Sequence, residues 1–241
     1  MYAERSLEHG CVLWRSRGAN ATTIPADGCA DVIVRGGELW LAGPSTRAIR
    51  TLADERGETV GVRYAPGVAS RVLRLDLPEL RDRLVPLVDV VGAARARTFD
   101  RAVRSQLAAA ETRAVVSDVL PPDVVADRPW TSAVHRAAIE GRAPAELAGE
   151  LGWSPRQLRR RIASAFGYGY GDLVRIERAG TARTLIERGG SLADAAFTAG
   201  YADQPHMTRE FARLVGRTPG QVAGSAAKRS IELPSGSSRV A

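Results

Sequence analysis

The chain has 241 residues, a formal net charge of +7 and 44% hydrophobic residues, a length that fits two domains. No apolar run reaches 18 residues, which excludes a membrane-spanning helix and gives no reason to expect a membrane partner. The start, Met1-Tyr-Ala-Glu-Arg5, lacks the apolar core of a secretory signal, so a cytoplasmic protein is expected.

Residues 1–92 read as short strands separated by turns. The predicted strands are Cys11–Trp14, Asp31–Val34, Glu38–Leu41, Val60–Tyr64 and Ser70–Leu75, and Pro25-Ala-Asp-Gly28, Gly36-Gly37, Gly43-Pro44 and Pro66-Gly67 supply the turns. Short strands at this spacing predict a small antiparallel barrel or sandwich. From Ala93 to Val119 the chain turns helical, with Val103, Leu107 and Val115 as an incomplete apolar stripe, and Pro121-Pro122 breaks it. Trp130 to Glu140 predicts another helix, and the tail from Ser225 to Ala241 is polar enough to be disordered. The expected class is therefore α+β. The expected units are a β-rich domain at 1–92, a helical linker at 93–129, an all-α domain at 130–224 and a tail at 225–241.

Two helix-turn-helix signatures lie in the all-α part. The first runs Pro144 to Leu151, turns at Gly152-Trp153 and continues from Ser154-Pro155 through Ile162. Leu147, Leu151, Leu158 and Ile162 hold the pair together at helical spacing, Ser154 caps the second helix, and Pro155 costs little in its first turn. The face left over carries Arg156, Arg159, Arg160 and Arg161, with no acidic residue between Ser154 and Phe166. The second signature runs Ser191 to Ala199, turns at Gly200-Tyr201 and continues from Asp203. Its expected apolar set is Leu192, Phe197, Met207, Phe211 and Leu214, and its outward face is Gln204, His206, Arg209 and Arg213, with Thr208 beside it. This layout places the second helix of each copy, about 155–166 and 203–214, in a DNA major groove. Arg forks onto guanine and Gln pairs with adenine, so the residue types suit base reading.

Charge is distributed accordingly. Residues 130–241 hold 16 Lys+Arg against 10 Asp+Glu, and residues 1–129 hold 18 against 17, so the positive excess lies where phosphates must be neutralised. Between the signatures, Asp172 is expected to cap a helix through about Arg188. Its 17 residues make a rod of roughly 25 Å, the right order to hold two recognition helices about one DNA turn apart.

Residues from about 140 to 223 resemble the DNA-binding domain of AraC/XylS-type bacterial transcription regulators. The resemblance rests on Leu147-Ala148, Leu151-Gly-Trp-Ser154, Leu158-Arg-Arg160, Phe166-Gly167, Arg178-Ala179 and Leu185. It continues at Ala196, Ala199-Gly-Tyr201, Asp203-Gln204, Arg209, Phe211, Gly216 and Thr218-Pro219. It implies base reading by Arg156, Arg159, Arg160, Gln204, His206 and Arg209, and phosphate contacts from groups including Ser154, Thr208 and Arg217. In the front part, Ile24–Asp31, Gly43–Arg47 and Val62–Gly67 resemble a cupin-like sensor domain found ahead of such DNA-binding domains. The partners so implied are double-stranded promoter DNA, a small-molecule effector, RNA polymerase and a second copy of the chain.

Candidate ligand-pocket residues in the front part are Trp14, Asp27, Cys29, Asp31, Trp40 and Arg63. The alternative is a turn at Asp27-Gly28, an ion-paired Arg63 and two core tryptophans. His9 is the only histidine before residue 135, so the histidine-rich metal site of some cupins is not expected. No cofactor is expected either, and no nucleophile-base pair, phosphate loop or paired carboxylates point to an enzyme. Three alternatives stand: a regulator whose front domain senses a small molecule, one whose front domain only dimerises or contacts polymerase, and a thiol-based sensor or alkyl acceptor using Cys11 or Cys29.

Overall fold

A computed structural model describes residues 2–7, 11–17, 22–51, 58–109 and 129–232. In the front part, six strands form one antiparallel sheet: β1 (Tyr2–Ser6), β2 (Val12–Arg17), β4 (Ala30–Arg35), β5 (Glu38–Ala42), β7 (Glu58–Tyr64) and β8 (Leu84–Pro86), in the order β1-β2-β7-β4-β5-β8. Two further strands, β3 (Thr23–Ile24) and β6 (Ile49–Arg50), pair with each other. The alternation of β4 and β7 sends Val32, Val34, Val60, Val62 and Tyr64 to one face. That face is buried with Leu13 and Leu41 under Val72, Leu73, Leu87 and Val103. These come from and around α1 (Ala69–Val72), α2 (Leu87–Val91) and α3 (Ala93–Ala109). The linker helix thus packs on the sheet, while Val115 and Pro121-Pro122 lie outside the described residues.

The strand expected at Ser70–Leu75 is instead helix α1 and the turn after it. The buried positions are Ala69, Val72 and Leu73, a spacing of three and four that only a helix turns to one side.

The other face of the sheet carries the polar network. Trp14, Gly61, Ile33 and Trp40 are register partners in one row across β2, β7, β4 and β5, and Arg63 and Asp31 are partners in another. The Trp14 ring lies over Gly61, where a Cβ would come within 2.7 Å of it. The Trp14 indole N–H donates to Asp31 at 2.6 Å. Arg63 Nε stands 3.3 Å from Asp31 and 3.2 Å from Asp27. Burial pushes the Asp31 carboxyl up to about 6, although Arg63 and the Trp14 hydrogen bond oppose it.

The C-terminal part is helical: α4 (Pro129–Ile139), α5 (Pro144–Glu150), α6 (Pro155–Phe166), α7 (Tyr170–Glu187), α8 (Leu192–Thr198), α9 (Gln204–Val215) and α10 (Pro219–Glu232). One cluster unites Leu147, Leu158, Ile162, Leu173, Ile176, Met207, Phe211 and Leu214, with α7 packed against α4, α8, α9 and α10. The α7 cap is Gly169, and Asp172 lies in the first turn rather than at the cap. Two further expectations are corrected. Phe197, assigned to the apolar set, is 84% exposed, because Ala195 and Ala196 are the residues that α8 turns inward. The tail does not become irregular at Ser225, since α10 continues to Glu232; residues 233–241 lie outside the described residues.

Two measurements check this description. Phe197→Ser is expected to leave the unfolding free energy from urea titration within about 0.5 kcal/mol of wild type, whereas Phe211→Ala costs about 3–5 kcal/mol; a comparable loss for both would put Phe197 back in the core. For Asp31, a folded pKa near 6 above an unfolded value of 3.8 means the native state binds the proton more tightly. Stability of the wild type relative to Asp31→Asn should therefore fall as pH rises through that window, by up to about 1.4 kcal/mol per pH unit. A flat or rising difference would contradict the buried assignment.

Candidate nucleic-acid interface

Both helix-turn-helix copies are built from the same local bonds. After α5, Gly152 takes a left-handed φ of 65° and the Trp153 N–H returns to the Ala148 carbonyl at 2.8 Å. After α8, Gly200 (φ 78°) does the same, and the Tyr201 N–H reaches the Ala196 carbonyl at 3.0 Å. These reversals satisfy carbonyls that a helix end leaves open. Ser154 and Gln157 form a reciprocal capping box on α6, and Asp203 accepts the His206 N–H at 2.6 Å to cap α9. The offset between copies is 48 residues up to the turn and 49 in the second helix, with Ala202 the added residue. Arg160 and Arg209 consequently occupy equivalent positions, as do Arg159 and Thr208.

The predicted contact residues divide by their surroundings. Arg156, Arg159 and Arg160 on α6, with Gln204 and Arg209 on α9, are exposed, and among the described residues none of their side chains has an ion pair. The Arg161 guanidinium lies over the Trp153 ring at 4.5 Å, and Trp153 is itself edge-on to Trp130. His206 meets Tyr201 edge-on at 5.4 Å, and the Thr208 hydroxyl donates to the Gln204 carbonyl. Arg217 donates to the Gln221 carbonyl and the Ser225 hydroxyl, tying down the start of α10. Arg213, expected on the outward face, donates to the Thr46 carbonyl of the front domain at 3.2 Å.

In the front part the structure brings Trp14, Asp27, Asp31 and Arg63 together and leaves Trp40 apart. Trp40 stands three strands from Trp14, about 14 Å at the usual strand spacing. Asp27 and Cys29 instead face a cleft of about 350 Å³, which Ala65, Pro66 and Val68 also line and which Thr131, Ser132, His135 and Glu177 close on the helical side. His135 Nε2 is 2.8 Å from Glu177 Oε1. These partners lie more than 100 residues from Asp27 in sequence, and no local pattern marks them. Cys11 and Cys29 lead into strands on either side of β7. Two strand spacings, about 9.6 Å, exceed the Cα separation that a disulfide bridges. Burial pushes both thiols up, Cys29 well above its ordinary value with Asp27 and Asp31 adding to the effect, so neither is an activated nucleophile.

Residues 147–225 match a helix-turn-helix domain family, and residues 4–86 match a domain of unknown function. No curated protein matches the chain. Similar solved structures include a transcriptional regulator with an AraC-type DNA-binding domain from Chromobacterium violaceum, 21% identical, covering 41% of this chain and 89% of that one at a TM-score of 0.38. A DNA-binding transcriptional dual regulator from Escherichia coli K-12 is 24% identical over 42% of this chain and 93% of that one, at 0.37. ToxT from Vibrio cholerae is 13% identical over 92% of this chain and 98% of that one, at 0.45. Among the described residues no helix is long and apolar enough to cross a membrane. The chain thus carries a helix-turn-helix domain over residues 147–225 behind a domain of unknown function over residues 4–86.

Proposed function

We propose that the chain recognises a specific promoter sequence in double-stranded DNA by placing α6 and α9 in successive major-groove segments. The observation that carries this is the contrast on the two helices. Arg156, Arg159, Arg160, Gln204 and Arg209 are exposed and uncommitted, while the apolar faces of the same helices are closed in the core. Uncommitted Arg and Gln at the front of a recognition helix are the groups that fork onto base edges. Ser154, Arg161, His206, Thr208 and Arg217, each held by an intramolecular contact, flank them and suit backbone positioning. The 18 residues of α7 make a rod of about 27 Å, shorter than the roughly 34 Å of one DNA turn; engagement of both helices then favours bent DNA.

The front domain's role in this reading is to sense a small molecule. The cleft supports it, because a ligand touching Asp27 and Cys29 on one side and His135 and Glu177 on the other contacts both parts of the chain at once. Of the sequence-based set only Asp27 and Cys29 line this cleft, not Trp14, Asp31, Trp40 or Arg63, and helices α4 and α7 supply its other wall.

Arg160→Ala and Arg209→Ala are each expected to cost roughly 1–3 kcal/mol on a duplex selected by the wild type and to relax its sequence preference. Binding should weaken by about 10³-fold or more between 50 and 200 mM salt if six or more phosphates are contacted. A titration by fluorescence anisotropy checks both; unchanged affinity for both variants would remove these helices from the groove.

A further inference from the structure

Both recognition helices end on a left-handed glycine, and both glycines sit on the front domain. Gly167 follows α6 with φ 83°, and a Cβ there would come within 2.9 Å of Pro44 and of Leu77. Gly216 follows α9 with φ 72°, and a Cβ there would come within 2.3 Å of Thr23 and 2.9 Å of Ala48. Nothing larger than glycine fits at either place without displacing the front domain.

Hydrogen bonds reinforce the second seat. The Ala26 N–H donates to the Leu214 carbonyl at 2.7 Å and the Ala48 N–H to the Arg213 carbonyl at 3.1 Å. These are carbonyls of the last helical turn, which α9 itself leaves without donors. Arg213 answers with its bond to the Thr46 carbonyl. On the α6 side, the Tyr168 hydroxyl donates to the Gly28 carbonyl at 3.1 Å.

The two seats belong to one short segment. Pro44 lies under the end of α6, and Thr46 and Ala48 lie under the end of α9. Fully extended, Pro44 to Ala48 spans at most about 14 Å. The segment is pinned along its length: the Gly43 N–H bonds to the Arg83 carbonyl and the Ser45 N–H to the Cys29 carbonyl. Asp82 accepts from both the N–H and the hydroxyl of Thr46, and Asp27 accepts from the Ser45 hydroxyl.

We propose that this segment, residues 43–48 backed by loop 23–28, is a spacer that fixes the separation and relative tilt of α6 and α9. The front domain is then a specificity-determining part of the DNA reader, because it sets the half-site spacing the protein accepts. The inference rests on the reading that both helices enter the groove. The spacer meets the C-terminal ends of the helices, and the exposed Arg156, Arg159, Arg160, Gln204 and Arg209 lie toward the other ends, so it holds both helices without covering their reading faces.

The test uses the full chain and duplexes selected by the wild type from a random-sequence library, rebuilt with one or two base pairs inserted or removed between the half-sites. One base pair turns the second groove segment by about a tenth of a turn. The wild type is expected to lose at least about tenfold in affinity per step, close to what a mismatched base pair costs. Gly216→Val, which wedges the α9 end off Thr23 and Ala48, and Arg213→Ala, which removes the bond to Thr46, should flatten this profile to under about threefold. Both should retain binding to a duplex carrying the α6 half-site alone. Thermal melting verifies folding, and if Gly216→Val does not fold, Arg213→Ala decides. A wild-type spacing profile in the folded variants overturns the spacer. Selection of no duplex by the wild type overturns the DNA-reading assignment itself.

Discussion

The joint between α9 and the front domain is the constraint on which the rest of the architecture depends. A helix ending in water leaves its last carbonyls to solvent, but α9 ends against protein, where an unpaired carbonyl is costly. Ala26 and Ala48 supply the missing donors from a different domain. Each such bond nets only about 0.5–1.5 kcal/mol, yet leaving a buried acceptor unmade costs about 1–3. The joint is therefore made or broken as a unit, and the glycine at each helix end lets the two surfaces approach closely enough to make it.

A chain of polar contacts leads into that joint from the open face of the sheet. Trp14 bonds Asp31, Arg63 stands between Asp31 and Asp27, and Asp27 holds Ser45 within the segment that carries both helix ends. Asp27 also borders the cleft between the two parts of the chain. The carboxylate that anchors the segment is thus also part of the cleft wall.

The helix-turn-helix copies were legible because everything that specifies them is local. Caps at Ser154 and Asp203, turn glycines at 152 and 200, and apolar residues three and four apart lie within a dozen residues of each other. Phe197 was misread because an aromatic at a helical position was taken as core, whereas the neighbouring alanines let α7 approach closely and leave the ring outside. Ser70–Leu75 read as a strand because a short apolar run carries no period of its own, and burial of Ala69, Val72 and Leu73 decides for helix. The joint could not be read at all. Its bonds use backbone groups of Ala26 and Ala48 and a tyrosine hydroxyl 140 residues from its acceptor, and no residue type announces them. Arg213 was assigned to the outward face for the same reason: its partner, Thr46, lies 167 residues away.

The measurement that tests DNA reading by both helices most directly is a hydroxyl-radical footprint of the full chain on a selected duplex. Two protected patches on one face of the DNA, centred about one helical turn apart, are the predicted result. A single patch, or protection spread evenly along the duplex, would contradict it.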